Sequence, residues 1–160
     1  MRVTTLIFIF VALGSVALSA ASAPKVTLSG TAQSCYPGQP VTWAGIGSVR
    51  VSTFQVSQVP TLVAKLGTLD TASTRTGELF AHADSLYSQI LSQVNSTTAL
   101  ARTTSSSTGA FHVTIAPVDS VLVFGYTFDQ DTPMLYSYMK VPGRANLTFT
   151  LDMSRGDCSR

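Results

Sequence analysis

The two histidines are the first candidates for catalysis in this sequence, and neither stands in a catalytic motif. His112 belongs to an alternating segment, on the face opposite Phe111, and His82 stands two residues before Asp84. Residues two apart on a helix do not face each other. No G-x-S-x-G elbow is present to supply a nucleophile. A hydrolase remains an alternative only by long-range convergence, so the sequence favours surface histidines and a protein that is not an enzyme.

Two carboxylates separated by one residue, Asp129 and Asp131, are the remaining candidates for metal chemistry. Alternating carboxylates can hold calcium. Thr132 and Pro133 follow directly, and aspartate is favoured in turns because it hydrogen-bonds its own backbone. We interpret this segment as a turn, and we expect neither a metal site nor a required cofactor.

Aromatic residues are the better candidates for a ligand-binding surface. Tyr136 and Tyr138 are two apart and share one face of a predicted strand, with Tyr126 and Trp43 expected nearby. Flat aromatic surfaces suit stacking on sugar rings and also suit protein interfaces. The alternative is that these residues are ordinary strand and core residues.

Both cysteines, Cys35 and Cys158, lie towards the two ends of the segment that follows the leader described next. In an oxidising compartment the expected state of such a pair is a disulfide. Two free thiols are the alternative, while a metal site lacks the usual set of ligands.

The first 23 residues are typical of an export signal. Arg2 supplies a positive charge, residues 6–18 are almost continuously apolar, and residues 19–23 are small, so cleavage is expected after Ala21 or Ala23. Residues 24–160 then form a single domain that is secreted or periplasmic, with no later segment apolar enough to span a membrane. Scattered charges of nearly balanced sign exclude a nucleic-acid footprint and a polybasic lipid-binding patch.

Short segments with period-two alternation, separated by Gly, Pro and Asp turns, predict a two-sheet antiparallel sandwich of seven strands. Residues 103–128 are the clearest case and indicate a half-buried antiparallel strand pair. The seven predicted strands are 25–32, 41–44, 49–56, 110–116, 120–128, 134–140 and 145–151.

Residues 59–101, between the third and fourth predicted strands, indicate a helical insertion. Pro60 begins a short helix that Gly67 ends, and Thr76 caps a longer one of about 17 residues with a wide apolar face. We expect a helical hairpin that covers the sheet, with docking of a partner protein as the alternative. Residues 95–98 and 103–108 are predicted to return the chain to the sheet as a flexible polar segment.

Four motifs carry a resemblance to a known family. They are V-x-L-x-G at Val26, T-G-x-F-x-V-x-I-x-P at Thr108, V-x-x-x-G-Y at Val121 and N-x-T-x-x-L-D-M at Asn146. Over residues 25–56 and 103–153 the chain resembles the carboxypeptidase regulatory-like domain, a transthyretin-like β-sandwich of the wider carbohydrate-binding-like group. The resemblance implies a non-enzymatic module of an exported or cell-surface protein. The helical insertion is absent from the usual pattern of that family.

Taken together, these features predict an exported, non-catalytic module with a structural or protein-interaction role at the cell envelope or outside the cell. The alternative is a carbohydrate-binding module that uses surface aromatics. The expected partner is a protein or a polysaccharide whose identity the sequence does not give.

Overall fold

The computed structural model describes residues 23–36, 42–73, 79–127 and 135–154. In this part the chain is mainly β, with two sheets and a pair of α-helices, which confirms the predicted class. The strands are β1 (Val26–Tyr36), β2 (Thr42–Gly45), β3 (Arg50–Gln55), β4 (Ala101–Thr104), β5 (Ala110–Ile115), β6 (Val118–Tyr126), β7 (Tyr136–Gly143) and β8 (Leu147–Asp152). The helices are α1 (Pro60–Ser73) and α2 (Leu79–Ser96), preceded by a 3-10 turn at Val56–Gln58. Of the predicted export signal at residues 1–23, residues 1–22 lie outside the described residues.

Sheet A is built around β1, the longest strand. Thr31 of β1 pairs with Ala110 of β5 and with Thr150 of β8, so these two strands flank β1 on opposite sides. Gln33 pairs with Gly45 of β2 and with β8, which places β2 end to end with β5 along the same edge of β1. The pairing of β1 with β8 is parallel, so the prediction of a fully antiparallel sandwich is wrong at this pair.

Gly109 makes the junction between β2 and β5 possible. Its φ of +81° lies in the left-handed region, and a Cβ there would stand 2.2 Å from the carbonyl oxygen of Ala32. Without a Cβ in the way, the backbone of Ala32 bonds to both sides of the junction. Its N–H donates to the carbonyl of Gly109, just before β5, at 2.9 Å, and its carbonyl accepts from the N–H of Ile46, just after β2, at 2.8 Å. The two short strands therefore continue one edge of the sheet.

Sheet B has the strand order β4-β3-β6-β7, with antiparallel neighbours throughout. Its central strand β6 is buried on both faces. Val121 and Val123 enter the core between the two sheets, whereas Leu122 and Phe124 enter a second core beneath the helices. The described residues therefore form three layers: sheet A, sheet B and the pair of helices.

The predicted helical hairpin is confirmed, and it covers sheet B. Val59, Leu62, Leu66 and Leu69 near and along α1 meet Ile90 and other apolar residues of α2 in the second core. The predicted end of the first helix at Gly67 is wrong, since α1 continues to Ser73. The free energy gained by burying Leu69, which follows Gly67 in α1, exceeds the roughly 1 kcal/mol that a glycine costs in a helix.

An eighth strand, β4, lies where the end of the insertion and a flexible polar segment were predicted, so the count of seven strands is wrong. Thr53 of β3 begins its pairing: the Thr53 hydroxyl donates to the Ala101 carbonyl at 3.1 Å and accepts from the Ala101 N–H at 3.0 Å. Beyond β4, Ser105 is buried and its hydroxyl donates to the Ile46 carbonyl at 2.8 Å and accepts from the Val49 N–H at 3.0 Å. These bonds fix the polar segment to the sandwich.

The strand pair predicted within residues 103–128 does not form. β5 shows the predicted alternation of buried and exposed residues, but it belongs to sheet A while β6 belongs to sheet B. Pro117 lies in the short connection between them, and the chain crosses from one sheet to the other there. β6 is buried on both faces, so it needs packing partners on both faces. Pairing with β5, which has one exposed face, would leave one face of the pair open to solvent.

Candidate functional site

The four candidate aromatics do not form one exposed row. Trp43 lies on β2 of sheet A and is 37% exposed, whereas Tyr126, Tyr136 and Tyr138 belong to sheet B. Tyr126 is only 3% exposed and its hydroxyl donates to the Asn95 side-chain oxygen of α2 at 3.2 Å. Trp43 is therefore separated from the three tyrosines, which lie on the sheet that the helices cover.

Tyr136 and Tyr138 join β7 to the helical hairpin. The ring of Tyr136 lies 5.1 Å from the ring of Tyr87 in α2, measured between centroids. The Tyr138 hydroxyl donates to the Asp70 carboxylate of α1. Burial raises the pKa of Tyr138 well above its ordinary value, and the hydrogen bond to Asp70 and its negative charge raise the pKa further. Both side chains are half-buried, and their contacts with Tyr87 and Asp70 pack β7 against the helices.

Of His82, His112, Asp129 and Asp131, the structure describes the side chain of His112. His112 lies exposed on β5, in register with Ser29 of β1. The side chain of His82 and the segment with Asp129 and Asp131 lie outside the described residues. Within the described ranges, no group of three or more His, Cys, Asp or Glu side chains is placed to hold a metal ion.

Cys35 is buried near the end of β1 and is not a free thiol. Its predicted partner, Cys158, lies outside the described residues. The Cys35–Cys158 disulfide therefore stays a prediction.

A cleft of about 330 Å³ opens where the C-terminus of α2 meets the edge of sheet B. Arg50 and Arg102 lie in it beside Asn95 and Thr104. The Arg102 guanidinium donates to two carbonyls at the end of the helix, that of Val94 at 2.7 Å and that of Thr97 at 2.9 Å. One part of the cleft thus attaches α2 to β4, because a cation at a helix C-terminus complements the helix dipole.

A larger groove of about 680 Å³ lies on the outer face of sheet A and reaches the edge of β4. Most of the residues that line it bear a side-chain hydroxyl, and none of them is Asp, Glu, Lys or Arg. The lining residues that bear hydroxyl or imidazole groups are Thr27, Ser29, Thr31, Thr103, Thr104, Ser106, His112 and Thr148. The groove is an uncharged surface on which hydroxyls that donate and accept hydrogen bonds stand among apolar atoms, and the apolar atoms make up most of its exposed lining.

The interpretation of the sequence by its aromatic residues missed this groove. The signal was present in the polar positions of the alternating strands, as in V-T-L-S-G-T of β1 and F-H-V-T-I of β5. Period-two alternation places those polar side chains together on the face opposite the core.

Comparison with known proteins does not identify a family for this chain, so the description of the fold depends on the strands of this structure. No protein-family model and no curated protein sequence matches this chain. The crystal structure of the shaft pilin SpaA from Lactobacillus rhamnosus GG, a double mutant, is similar over 82% of this chain at 9% identity and a TM-score of 0.32. The alignment covers 49% of the pilin chain, and a similarity this low carries no argument about function. Neither helix in the described part of this chain has the length and hydropathy needed to cross a bilayer.

Proposed function

We propose that this chain is an exported, non-catalytic β-sandwich module with a structural or protein-interaction role at the cell envelope or outside the cell. The observation that carries this proposal is the short edge strand β2, Thr-Trp-Ala-Gly, all four residues of which are exposed. Trp43 is the one large hydrophobic side chain that is exposed among the described residues. The helical hairpin covers sheet B, so this strand belongs to the sheet that the helices leave open.

The chemistry of β2 supports an interaction role. Natural edge strands commonly carry charged side chains or proline, which discourage association with another chain, and β2 carries neither. Tryptophan is enriched among the residues that contribute most to protein–protein binding. An exposed tryptophan on an uncharged edge is therefore suited to anchor a partner protein.

The test is site-specific cross-linking. A photoreactive aromatic residue, which keeps a large ring at this position, replaces Trp43 in one variant and Ser57, exposed in the 3-10 turn, in a matched variant. We expect a saturable cross-link to one species of discrete mass at position 43 alone, detected in the extracellular or envelope fraction. Unlabelled wild-type protein should compete for that species, and the Trp43→Ser variant should compete at least about 30-fold less well.

Two results would contradict the interaction role. One is the same set of weak cross-links at positions 43 and 57, which indicates random collision. The other is undiminished competition by Trp43→Ser in a variant whose unfolding midpoint matches that of the wild type. Carbohydrate binding through a row of Trp43, Tyr126, Tyr136 and Tyr138 is not proposed, because the buried Tyr126 and the separated Trp43 remove its geometric basis.

A further inference from the structure

The outer face of sheet A carries an array of hydroxyl groups across three neighbouring strands. Thr27, Ser29 and Thr31 alternate along β1 with residues buried in the core, so they face away from it. Ser29 lies in register with His112 of β5 on one side and Thr148 of β8 on the other. The array extends about 13 Å along β1 and about 10 Å across the strands, given usual strand dimensions.

These hydroxyls are not used to hold the fold together. Within the described residues no hydrogen bond engages the side-chain hydroxyls of Thr27, Ser29, Thr31, Thr114, Thr148 and Thr150. Hydroxyls elsewhere in the sandwich behave differently, since those of Thr53 and Ser105 bond to backbone carbonyls at 3.1 and 2.8 Å. Donors and acceptors on this face are thus available to a molecule outside the protein.

The groove on this face is large enough for a ligand. Its volume of about 680 Å³ falls within the roughly 300–1,000 Å³ of known ligand sites. Since its lining residues include no Asp, Glu, Lys or Arg, an ionic ligand would lose hydration there without gaining a counter-charge. The lining therefore favours a neutral ligand, and hydroxyls on that ligand match the donors and acceptors of the threonine and serine side chains.

We propose that this groove binds a neutral polysaccharide chain laid across the outer face of sheet A. Threonine and serine hydroxyls donate to and accept from sugar hydroxyls, while the threonine methyl groups contact the apolar faces of sugar rings. His112 lies near the middle of the array and offers a flat ring with one donor and one acceptor in its neutral form. The site is independent of the protein-interaction proposal, which rests on Trp43.

The experiment compares two sets of threonine-to-valine changes, which remove a hydroxyl and keep the side-chain shape and strand preference. The triple variant Thr27→Val, Thr31→Val, Thr148→Val alters the groove, and the double variant Thr114→Val, Thr150→Val alters the same face outside the groove lining. Protein produced without glycosylation is titrated with a soluble neutral β-glucan and a galactomannan, and with polygalacturonate as the acidic control. Affinity electrophoresis and calorimetry give Kd.

We expect saturable binding of at least one neutral polysaccharide by the wild type and none of polygalacturonate. The triple variant should raise Kd at least about tenfold, the loss expected for about three hydrogen bonds, and the double variant should stay within about twofold. Circular dichroism confirms that both variants are folded. If the triple variant is unfolded, His112→Ala, which changes one exposed residue of the groove, takes its place and should also weaken binding.

Three results would overturn the proposal. Absence of saturable binding to both neutral polysaccharides rules out the class of ligand. Binding of polygalacturonate alone assigns the opposite charge preference to the site. Equal losses in the triple and double variants, or no loss in either, place the contact elsewhere on the protein. The variant Trp43→Ser separates this proposal from the protein-interaction proposal. If it loses competition in cross-linking and still binds polysaccharide, or keeps that competition and loses polysaccharide binding, the two proposals stand or fall separately.

Discussion

Gly30 of β1 leaves room for an aromatic ring from the neighbouring strand. A Cβ at this position would stand 2.3 Å from Cζ of Phe111, the residue paired with Gly30 on β5. The Phe111 ring in turn meets Phe149 of β8 edge-on, with 5.8 Å between centroids. We expect Gly30→Ala to lower the free energy of unfolding by about 1–3 kcal/mol, because the buried ring must move. Urea denaturation measures this change.

Gly67 of α1 provides the matched control for the same substitution. A Cβ there would have no atom within 4 Å, and the residue lies in a helix where alanine is preferred by about 0.5–1 kcal/mol. Gly67→Ala should therefore raise the free energy of unfolding while Gly30→Ala lowers it. Changes of the same sign at both positions would show that ring packing over Gly30 is not the cause.

Tyr138 makes stability depend on alkaline pH. Burial, and then its hydrogen bond to Asp70, raises the pKa of Tyr138 above the ordinary value of 10.0, so the folded protein retains a proton that the unfolded chain releases. This contribution to stability is complete below about pH 10 and decreases as pH rises further. The variant Tyr138→Phe does not titrate there, so its unfolding free energy should fall less steeply than that of the wild type between about pH 10 and 12.

Urea unfolding of both proteins at several pH values measures the two slopes for Tyr138. Asp70→Asn is the informative control, because it keeps the tyrosine and its burial but removes the carboxylate that accepts the hydrogen bond. Its slope should lie between those of the wild type and Tyr138→Phe. Superimposable pH curves for all three proteins would contradict the assigned role of this pair.

At the scale of elements, Arg102 links strand β4 to the end of helix α2. Its guanidinium donates to the carbonyls of Val94 and Thr97, which would otherwise be satisfied only by water. Arg102→Met keeps much of the apolar stem and removes the charge and both bonds. We expect a loss of about 1–2 kcal/mol in the free energy of unfolding and faster hydrogen exchange at the Thr97 amide.

Lys140→Met, on an exposed position of β7, is the control for removal of a surface cation. It should change the free energy of unfolding by no more than about 0.5 kcal/mol. Equal effects of the two substitutions would indicate that loss of surface charge, not the attachment of α2 to β4, destabilises the protein. Unchanged exchange at Thr97 would likewise exclude a tether at that end of the helix.

Elements whose burial follows local alternation were predictable, whereas elements defined by distant neighbours were not. β5 alternates between buried and exposed residues and β1 between buried and partly buried ones, and the sequence pattern places both strands correctly over most of their length. β4 has no apolar alternation, and its pairing depends on Thr53, which lies 48 residues earlier in the chain. The parallel pairing of β1 with β8 also joins strands at opposite ends of the domain, for which no local pattern exists.

The same limit applies to the candidate site. Period-two spacing correctly places Tyr136 and Tyr138 two apart on one strand, but it does not say which face of which sheet the helices cover. Once the hairpin lies on sheet B, the tyrosines become part of its packing and the polar positions of sheet A become the open surface. The residues of the groove were visible in the sequence, and their significance depended on the layer order.

At the scale of the whole molecule, β6 belongs to two cores at once. Leu122 is fully buried under the helices, and its neighbour Val123 is fully buried between the sheets. Because one strand carries both side chains, loosening either core disturbs the backbone that supports the other. We expect the protein to unfold as a single cooperative unit, as small domains usually do.

Leu122→Ala and Val123→Ala test this coupling, with expected losses of about 2–5 and about 2 kcal/mol in the free energy of unfolding. The chain has one tryptophan, Trp43, and it lies in sheet A, so fluorescence follows that sheet while the helical circular dichroism signal follows the hairpin. In each variant the two signals should report the same urea midpoint, because the cores share β6. A shift of the helical signal alone in Leu122→Ala would show instead that the hairpin detaches from a sandwich that remains folded, and the three layers would then be two independent units.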